Sequence, residues 1–381
     1  MRDVGMKVHA IVAFFGSPAL VIYAQQLPAP TLSTQANVVL IPALVQNAKG
    51  QPVFTLKASD FTVTDDGVPQ TLTLDEETGS EPLALVIAVQ IGGAGRDKME
   101  SYRNLGTQLD AVVGGVQHVV AVVAFGGAPT VAQGFTQDVD AAAGALNRLE
   151  PGDKDAAVLD GLKFSIDLLR TAPKGYRRVV LLMSETVDRS SQAKLDEVLQ
   201  ALSDTNTSIY SLAFSSGKSA AANYAYHELP VVKTPNGAEL GENQHQGPRH
   251  GCMGKDTDPE ATQNKGDQAY DCAGLLFPPL ALAKMAAIRM ADGLRKNVPE
   301  TVADLTGGEY FKFEKSKEVV RALLTIADHL PNRYVLSFVP TAPHVGFHAV
   351  ELKLKGYSGL SVTARSGYWV DGEKQGSGSR E

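Results

Sequence analysis

The chain has 381 residues, 44% of them hydrophobic and 20% charged, enough for two or three domains with a full core. Its formal net charge of −7 leaves no broad basic excess of the kind that nucleic acid or an anionic membrane surface requires.

Residues 1–24 read as a secretory signal. Arg2 and Lys7 make a basic start, an apolar segment runs from His9 to Ala24, and Ala24 before Gln25 is the cleavage point. The segment is short for a membrane span and is interrupted by Gly16, Ser17 and Pro18. The expectation is therefore a secreted or periplasmic protein with no stable span once the signal is removed. Residues 25–36, rich in Pro, Ser and Thr, read as a linker.

Residues 37–78 read as an N-terminal β module: a strand at 38–45, a turn at 47–50, and an alternating strand that ends in Asp66-Gly67. A second alternation follows at 71–74. The module is too short to stand alone, so it is expected to pack on something else.

From Pro82 the period changes. Residues 83–95, LALVIAVQIGGAG, are an unbroken apolar run that ends in a glycine-rich turn. Such a run reads as a strand buried on both faces, at the centre of a parallel sheet. A helix at 97–113, strands at 118–125 and 131–135, and helices at 138–149 and 156–170 are expected next. A strand at 178–183, a helix at 192–204 and a strand at 208–214 complete the run, with Thr136 and Ser190 as helix-start residues. This alternation predicts an α/β domain over 82–330, with a doubly wound, mostly parallel sheet. In such sheets ligands bind at the carboxyl ends of the strands, so the turn at 90–95 decides what the domain can hold.

Residues 217–279 interrupt the rhythm as an insert that carries Cys252, Cys272, His227, His245 and His250. In an exported chain the isolated cysteine pair reads as a disulfide. It would close a loop of about twenty residues, worth roughly 3 kcal/mol. The histidines and cysteines do not follow a standard zinc spacing. Helices at 280–295 and 300–305, a stop at 306–308, a strand at 309–313 and a helix at 318–329 resume the pattern. Residues 331–371 return to β as a C-terminal module, with strands at 334–339, 348–354 and 360–364. Residues 372–381 are a polar tail expected to be flexible. The two β modules are expected to lie together or against one edge of the α/β domain.

Several stretches carry a family likeness. Gly50-Gln51-Pro52-Val53, Asp60-Phe61-Thr62-Val63 and Asp65-Asp66-Gly67-Val68-Pro69-Gln70 form an entry segment. Val302-Ala303-Asp304-Leu305-Thr306-Gly307-Gly308 forms a helix-stop turn, and Asn332-Arg333-Tyr334-Val335-Leu336 with Arg365-Ser366-Gly367-Tyr368 a closing segment. In this order of parts the chain resembles von Willebrand factor A-related domain proteins of the Acidobacterial type, over roughly residues 38–370 apart from the insert. The resemblance implies a Rossmann-like α/β fold and a protein-binding module. In the wider group it also implies Mg²⁺ held at a metal-ion-dependent adhesion site, by Asp-x-Ser-x-Ser after the first strand, a Thr in a second loop and an Asp after the fourth strand. This chain departs from that pattern. Gln90, Gly92 and Ala94 stand where the Asp and two Ser belong, Ala156 stands where the Thr belongs, and Glu185 replaces the Asp. A divalent cation needs anionic or hydroxyl oxygens, which Gly and Ala lack, so the site is expected to be degenerate and no cofactor is expected. A shifted site built from Asp155, Glu185 and Asp188 is the competing expectation, and helix-capping or solvated carboxylates the favoured one.

Catalysis is not expected. Ser184 is the one well-placed serine, but it lacks the flanking glycines of a nucleophile elbow and an obvious histidine partner. Gly92-Gly93-Ala94-Gly95 lacks the Lys-Ser/Thr of a phosphate-binding loop. A protein partner is the leading expectation, with an envelope scaffold as the alternative.

Overall fold

The computed structural model describes residues 38–75, 81–216, 296–341 and 344–370. The expected signal, linker, insert, helix at 280–295, polar tail and the pair Cys252 and Cys272 lie outside the described residues.

A six-stranded sheet forms the centre. It contains β5 (Leu83–Gln90), β6 (His118–Phe125), β7 (Thr130–Thr136), β8 (Arg177–Glu185), β9 (Ser208–Phe214) and β10 (Tyr310–Lys312), in the order β10-β9-β8-β5-β6-β7. All neighbours pair in parallel except β6 and β7, which are antiparallel and irregular in register. The mostly parallel α/β sheet is thus the one expected, with β5 between β8 and β6. Every residue of β5 is buried. Leu83, Leu85, Ile87 and Val89 point to one layer, and Ala84, Val86 and Ala88 to the other. That is the physical content of the unbroken apolar run, since a strand covered on both faces has no side left for polar alternation.

The first layer holds α1 (Gly106–Val113), α2 (Val139–Asn147) and α6 (Ser316–His329), contributing Leu109, Leu146 and Leu323 among others. The second holds α3 (Val158–Leu169), α4 (Leu195–Thr205) and α5 (Val298–Thr306), contributing Leu162, Val198 and Val302. Each fully buried Val, Leu or Ile stabilises by about 1.5–3 kcal/mol, so the two layers supply most of the driving force of the domain.

Two expected helices are corrected at their starts. The expected helix at 97–113 is a 3₁₀ segment, Gly93–Tyr102, followed by a break and then α1. Asn104 has a φ of 57°, and its N–H is taken by Asn147 Oδ1 at 2.8 Å, so the helical ladder cannot run through it. The expected helix from residue 192 begins at Leu195, because the Asp160 carboxylate takes the N–H groups of Gln192 and Ala193. Ser190 does not start that helix; its hydroxyl accepts from Ala156 N at 2.9 Å instead.

The two terminal β segments interleave. β1 (Val39–Asn47) pairs with both β11 (Tyr334–Phe338) and β13 (Leu360–Ala364), and β4 (Thr73–Asp75) borders β11. In the other sheet β12 (Gly346–Leu354) pairs with β2 (Phe61–Asp65) and β14 (Gly367–Val370), and β3 (Val68–Gln70) borders β2. Ile41, Val45, Phe61, Val63, Leu336, Leu352 and Tyr368 fill the space between these sheets. The turn from β2 to β3 has Asp66 at φ 49° and Gly67 at φ 81°. Two positive φ values in a two-residue loop make the hairpin type that Asp-Gly signals.

Buried arginines join this sandwich to the α/β layers. Arg333 donates to Gly307 O and, at 2.9 Å, to Glu309 Oε2, and it lies over the Tyr210 ring. Arg365 donates to Asn206 Oδ1 at 3.0 Å, and burial pulls its guanidinium down to about 10. Gly308, at the end of the Thr-Gly-Gly stop, lies against β9 so closely that a Cβ there would be 1.8 Å from Ile209 O. Gly308→Ala is therefore expected to cost about 3 kcal/mol, read as a lower denaturation midpoint with an unchanged slope. An unaltered midpoint would show that β9 can move away from this turn.

Candidate functional site

The carboxyl ends of β5, β6 and β8 meet four loops. The turn after β5 is tied to its neighbours by its own backbone. Ile91 N and Gly92 N donate to Phe125 O, Gly93 N donates to Asp153 O, and Gly152 N donates to Ile91 O, at 2.8–3.2 Å. Asp153 Oδ1 and Oδ2 accept from Gly127 N, each at 3.0 Å, which locks the loop at 150–157 onto Gly126 and Gly127.

This packing explains the residue at position 92. A Cβ on Gly92 would lie 2.4 Å from Asp155 O, 2.5 Å from the Gly126 Cα and 2.7 Å from Asp153 Oδ1. A serine cannot be placed there without moving backbone. Ala94 leans on the first hydrophobic layer and offers no oxygen to the loops. Ala156 is buried, and its N–H and C=O bind Ser190 Oγ and Arg189 N.

Gln90 and Glu185 are both fully buried and grip each other. Gln90 Nε2 donates to Glu185 Oε1 at 2.9 Å, and Glu185 N donates to Gln90 Oε1 at 2.9 Å. Gln90 therefore spends its one neutral oxygen on the β8 backbone. The counter-charge of Glu185 is Arg189, whose Nη2 lies 2.5 Å from Oε1. Ser216 Oγ donates to Oε2 at 3.0 Å. The Arg189 guanidinium sits over the glycine turn, 3.1 Å from where a Gly93 Cβ would be. A cation is thus present at the strand ends, and it is covalently part of the chain.

The remaining carboxylates of the shifted-site expectation point elsewhere. Asp188 Oδ1 accepts from Val158 N at 2.7 Å, Leu159 N at 3.3 Å and Ser191 Oγ at 2.6 Å, so it caps the start of α3. Burial raises its carboxyl above the usual range, against the pull of those hydrogen bonds. The Asp155 side chain is exposed and faces Gly127. Asp155, Glu185 and Asp188 are not among the described groups whose ligand atoms lie within 4.8 Å of one another. Ser184 is fully buried and donates to Glu185 O at 3.1 Å, leaving it no route to a substrate.

A second polar cluster lies in the β sandwich. Asp65 and Asp66 are nearly fully buried beside His348, and His344 stacks on the His348 ring at 3.9 Å. Burial alone would lower the His348 imidazolium, but hydrogen bonds to Asp65 and Asp66 outweigh it and push it up to about 10. Sequence reasoning missed this cluster and Arg189 alike. His344-x-x-x-His348 beside an Asp-Asp hairpin turn was the available signal for the first. Nothing local marks Arg189, because its partner is reached across an irregular loop.

The family model described as the von Willebrand factor type A domain matches residues 100–237. The match begins beyond the β5 turn. Similar solved structures include BatB, a conserved hypothetical protein from Bacteroides thetaiotaomicron, at 13% identity and a TM-score of 0.33, covering 64% of this chain and 98% of that one. An aerotolerance-related membrane protein from Bacteroides fragilis NCTC 9343 shows 14% identity and a TM-score of 0.34, with coverages of 65% and 98%. The SpRpn10 VWA domain shows 13% identity and a TM-score of 0.29, with coverages of 35% and 76%. No curated protein matches the chain. Among the described residues no helix is long and apolar enough to cross a membrane.

Arg189→Ala leaves the fully buried Glu185 without its counter-charge and is expected to cost about 2–3 kcal/mol. Adding Glu185→Gln should recover most of that loss, a coupling that a double-mutant cycle in urea would measure. Additive effects of the two substitutions would show that the pair is not an interacting unit.

Proposed function

We propose that the chain is an exported, non-catalytic von Willebrand A-like module that binds a protein partner without a divalent metal. The observation that carries this reading is the Arg189 guanidinium paired with the buried Glu185 over the Gly92-Gly93 turn. A divalent cation held at this end of the sheet would offer positive charge to an acidic group of a partner. Here Arg189, about a quarter exposed, supplies a fixed positive charge at the corresponding end of the sheet. Its planar fork suits a carboxylate, and part of it is already held by Glu185, so its orientation is set before a partner arrives. The partner surface that fits is acidic and rigid enough to reach a recessed guanidinium.

The degenerate adhesion site, the Acidobacterial kinship and export belong to the same proposal. The basic start, the apolar segment and Ala24 support export, and mass spectrometry of the mature protein should find Gln25 at its N-terminus.

The test of metal independence is thermal unfolding of the mature protein in EDTA and then in millimolar Mg²⁺. A ligand at a hundred times its dissociation constant adds about 2.7 kcal/mol, which such a scan resolves. The expected result is an unchanged melting temperature. A rise with Mg²⁺ that disappears in Glu185→Gln would overturn the reading and restore metal-dependent adhesion.

A further inference from the structure

We propose that His344 Nε2, His348 Nδ1 and Asp66 Oδ2 bind a divalent transition-metal cation, Zn²⁺ by ligand chemistry, in the β sandwich. The inference is independent of the proposed function, since the site lies in a different part of the fold and uses different residues.

Four ring nitrogens belong to the two histidines. The outer pair lies on carbonyls: His348 Nε2 is 2.9 Å from His344 O, and His344 Nδ1 is 3.1 Å from Val345 O. A nitrogen this close to a carbonyl oxygen carries a hydrogen, because two lone pairs would otherwise face each other. His344 N, at 3.3 Å from His348 Nε2, is the longer contact. The inner pair then faces carboxylate oxygens, with Asp65 Oδ1 3.1 Å from His348 Nδ1. His344 Nε2 and His348 Nδ1 both lie 3.0 Å from Asp66 Oδ2. Without an ion, satisfying those contacts takes two imidazolium rings stacked at 3.9 Å, a like-charge arrangement. With an ion, the inner nitrogens are lone-pair donors, and both rings have the tautomer that metal-bound histidines show, the far N–H held by a backbone carbonyl.

The surroundings fit a dication. Asp65 and Asp66 bring two carboxylates into a nearly closed space, each 4% exposed. Asp65 Oδ1 lies 3.1 Å from His348 Nδ1, and its Oδ2 accepts from Tyr368 OH at 2.9 Å. Asp66 Oδ1 is held by Ala349 N at 2.8 Å, which leaves Oδ2 to the site. The three ligand atoms lie within 4.8 Å of one another, and imidazole nitrogens with a carboxylate oxygen are a zinc set rather than a magnesium one. His344, about a third exposed, gives the entry path and an open coordination position for water. The two rings are now within 18° of parallel, so His344 tilts on binding to aim its lone pair at the ion. The ion displaces the protons that the inner nitrogens otherwise carry. Its effect is to pin the β2–β3 turn to the start of β12, joining chain segments 278 residues apart.

The test uses the mature full-length protein, stripped with EDTA. Zn²⁺ is titrated by calorimetry and by thermal unfolding, and Co²⁺ serves as a visible-absorption probe. The expected result is a site whose occupancy raises the melting temperature and gives the Co²⁺ spectrum of nitrogen and oxygen ligation. His344→Ala, at the exposed member, should leave the metal-free melting temperature unchanged while weakening this binding by roughly tenfold or more. Asp66→Asn should weaken it as well. Absence of Zn²⁺ binding would overturn the proposal. So would binding that His344→Ala leaves intact, which would assign the ion to His227, His245, His250 or the cysteines of the insert.

Discussion

A carboxylate without solvent exposure must find a counter-charge, and Glu185 at the end of β8 is such a group. Its partners are the Gln90 amide from β5 and the Arg189 guanidinium from the following loop. Gln90 is committed to both the Glu185 backbone and side chain, so β5 and β8 are stapled at their tips. The guanidinium lies over Gly93, and the loop at 150–157 closes against Gly92, where a side chain has no room. At the tips of β5 and β8 the Arg189 guanidinium, the glycine turn and the backbone of the 150–157 loop lie close together.

This arrangement separates two properties of the fold. The sheet that displays the site depends only on burial of apolar side chains on both faces of β5, β6, β8 and β9. The chemistry displayed depends on a few residues at the carboxyl ends. A scaffold of this kind tolerates exchange of those residues so long as buried charge stays compensated. An arginine can compensate a buried carboxylate as an ion does, but it brings its own geometry and does not dissociate.

The sequence made the central sheet legible because strands covered on both faces leave an unmistakable record of consecutive Val, Ile, Leu and Ala. The Asp66-Gly67 hairpin was legible because only particular residues accept positive φ at both positions. The helix starts were less so. Asn104 and Asp160 act through partners more than thirty residues away, Asn147 and the 192–193 backbone, and no local period records such contacts. At the site, the absence of oxygen at positions 92 and 94 could be read directly. What stands in its place could not, because Arg189 reaches Glu185 through a loop whose path depends on Ala156, Asp188 and Ser190. The interleaved sandwich was visible only as two β-rich ends; its pairing, with β1 between β11 and β13, is a long-range property of the closed fold.

The central claim is that the Arg189 guanidinium occupies the place of a cation at the strand ends. A crystal structure of the mature protein grown in Mn²⁺, with anomalous data collected at the manganese edge, tests it most directly. The expected result is the guanidinium on Glu185 and no anomalous peak within bonding distance of Glu185 or Asp155. A Mn²⁺ peak bridging those carboxylates, with Arg189 swung away into solvent, would contradict it.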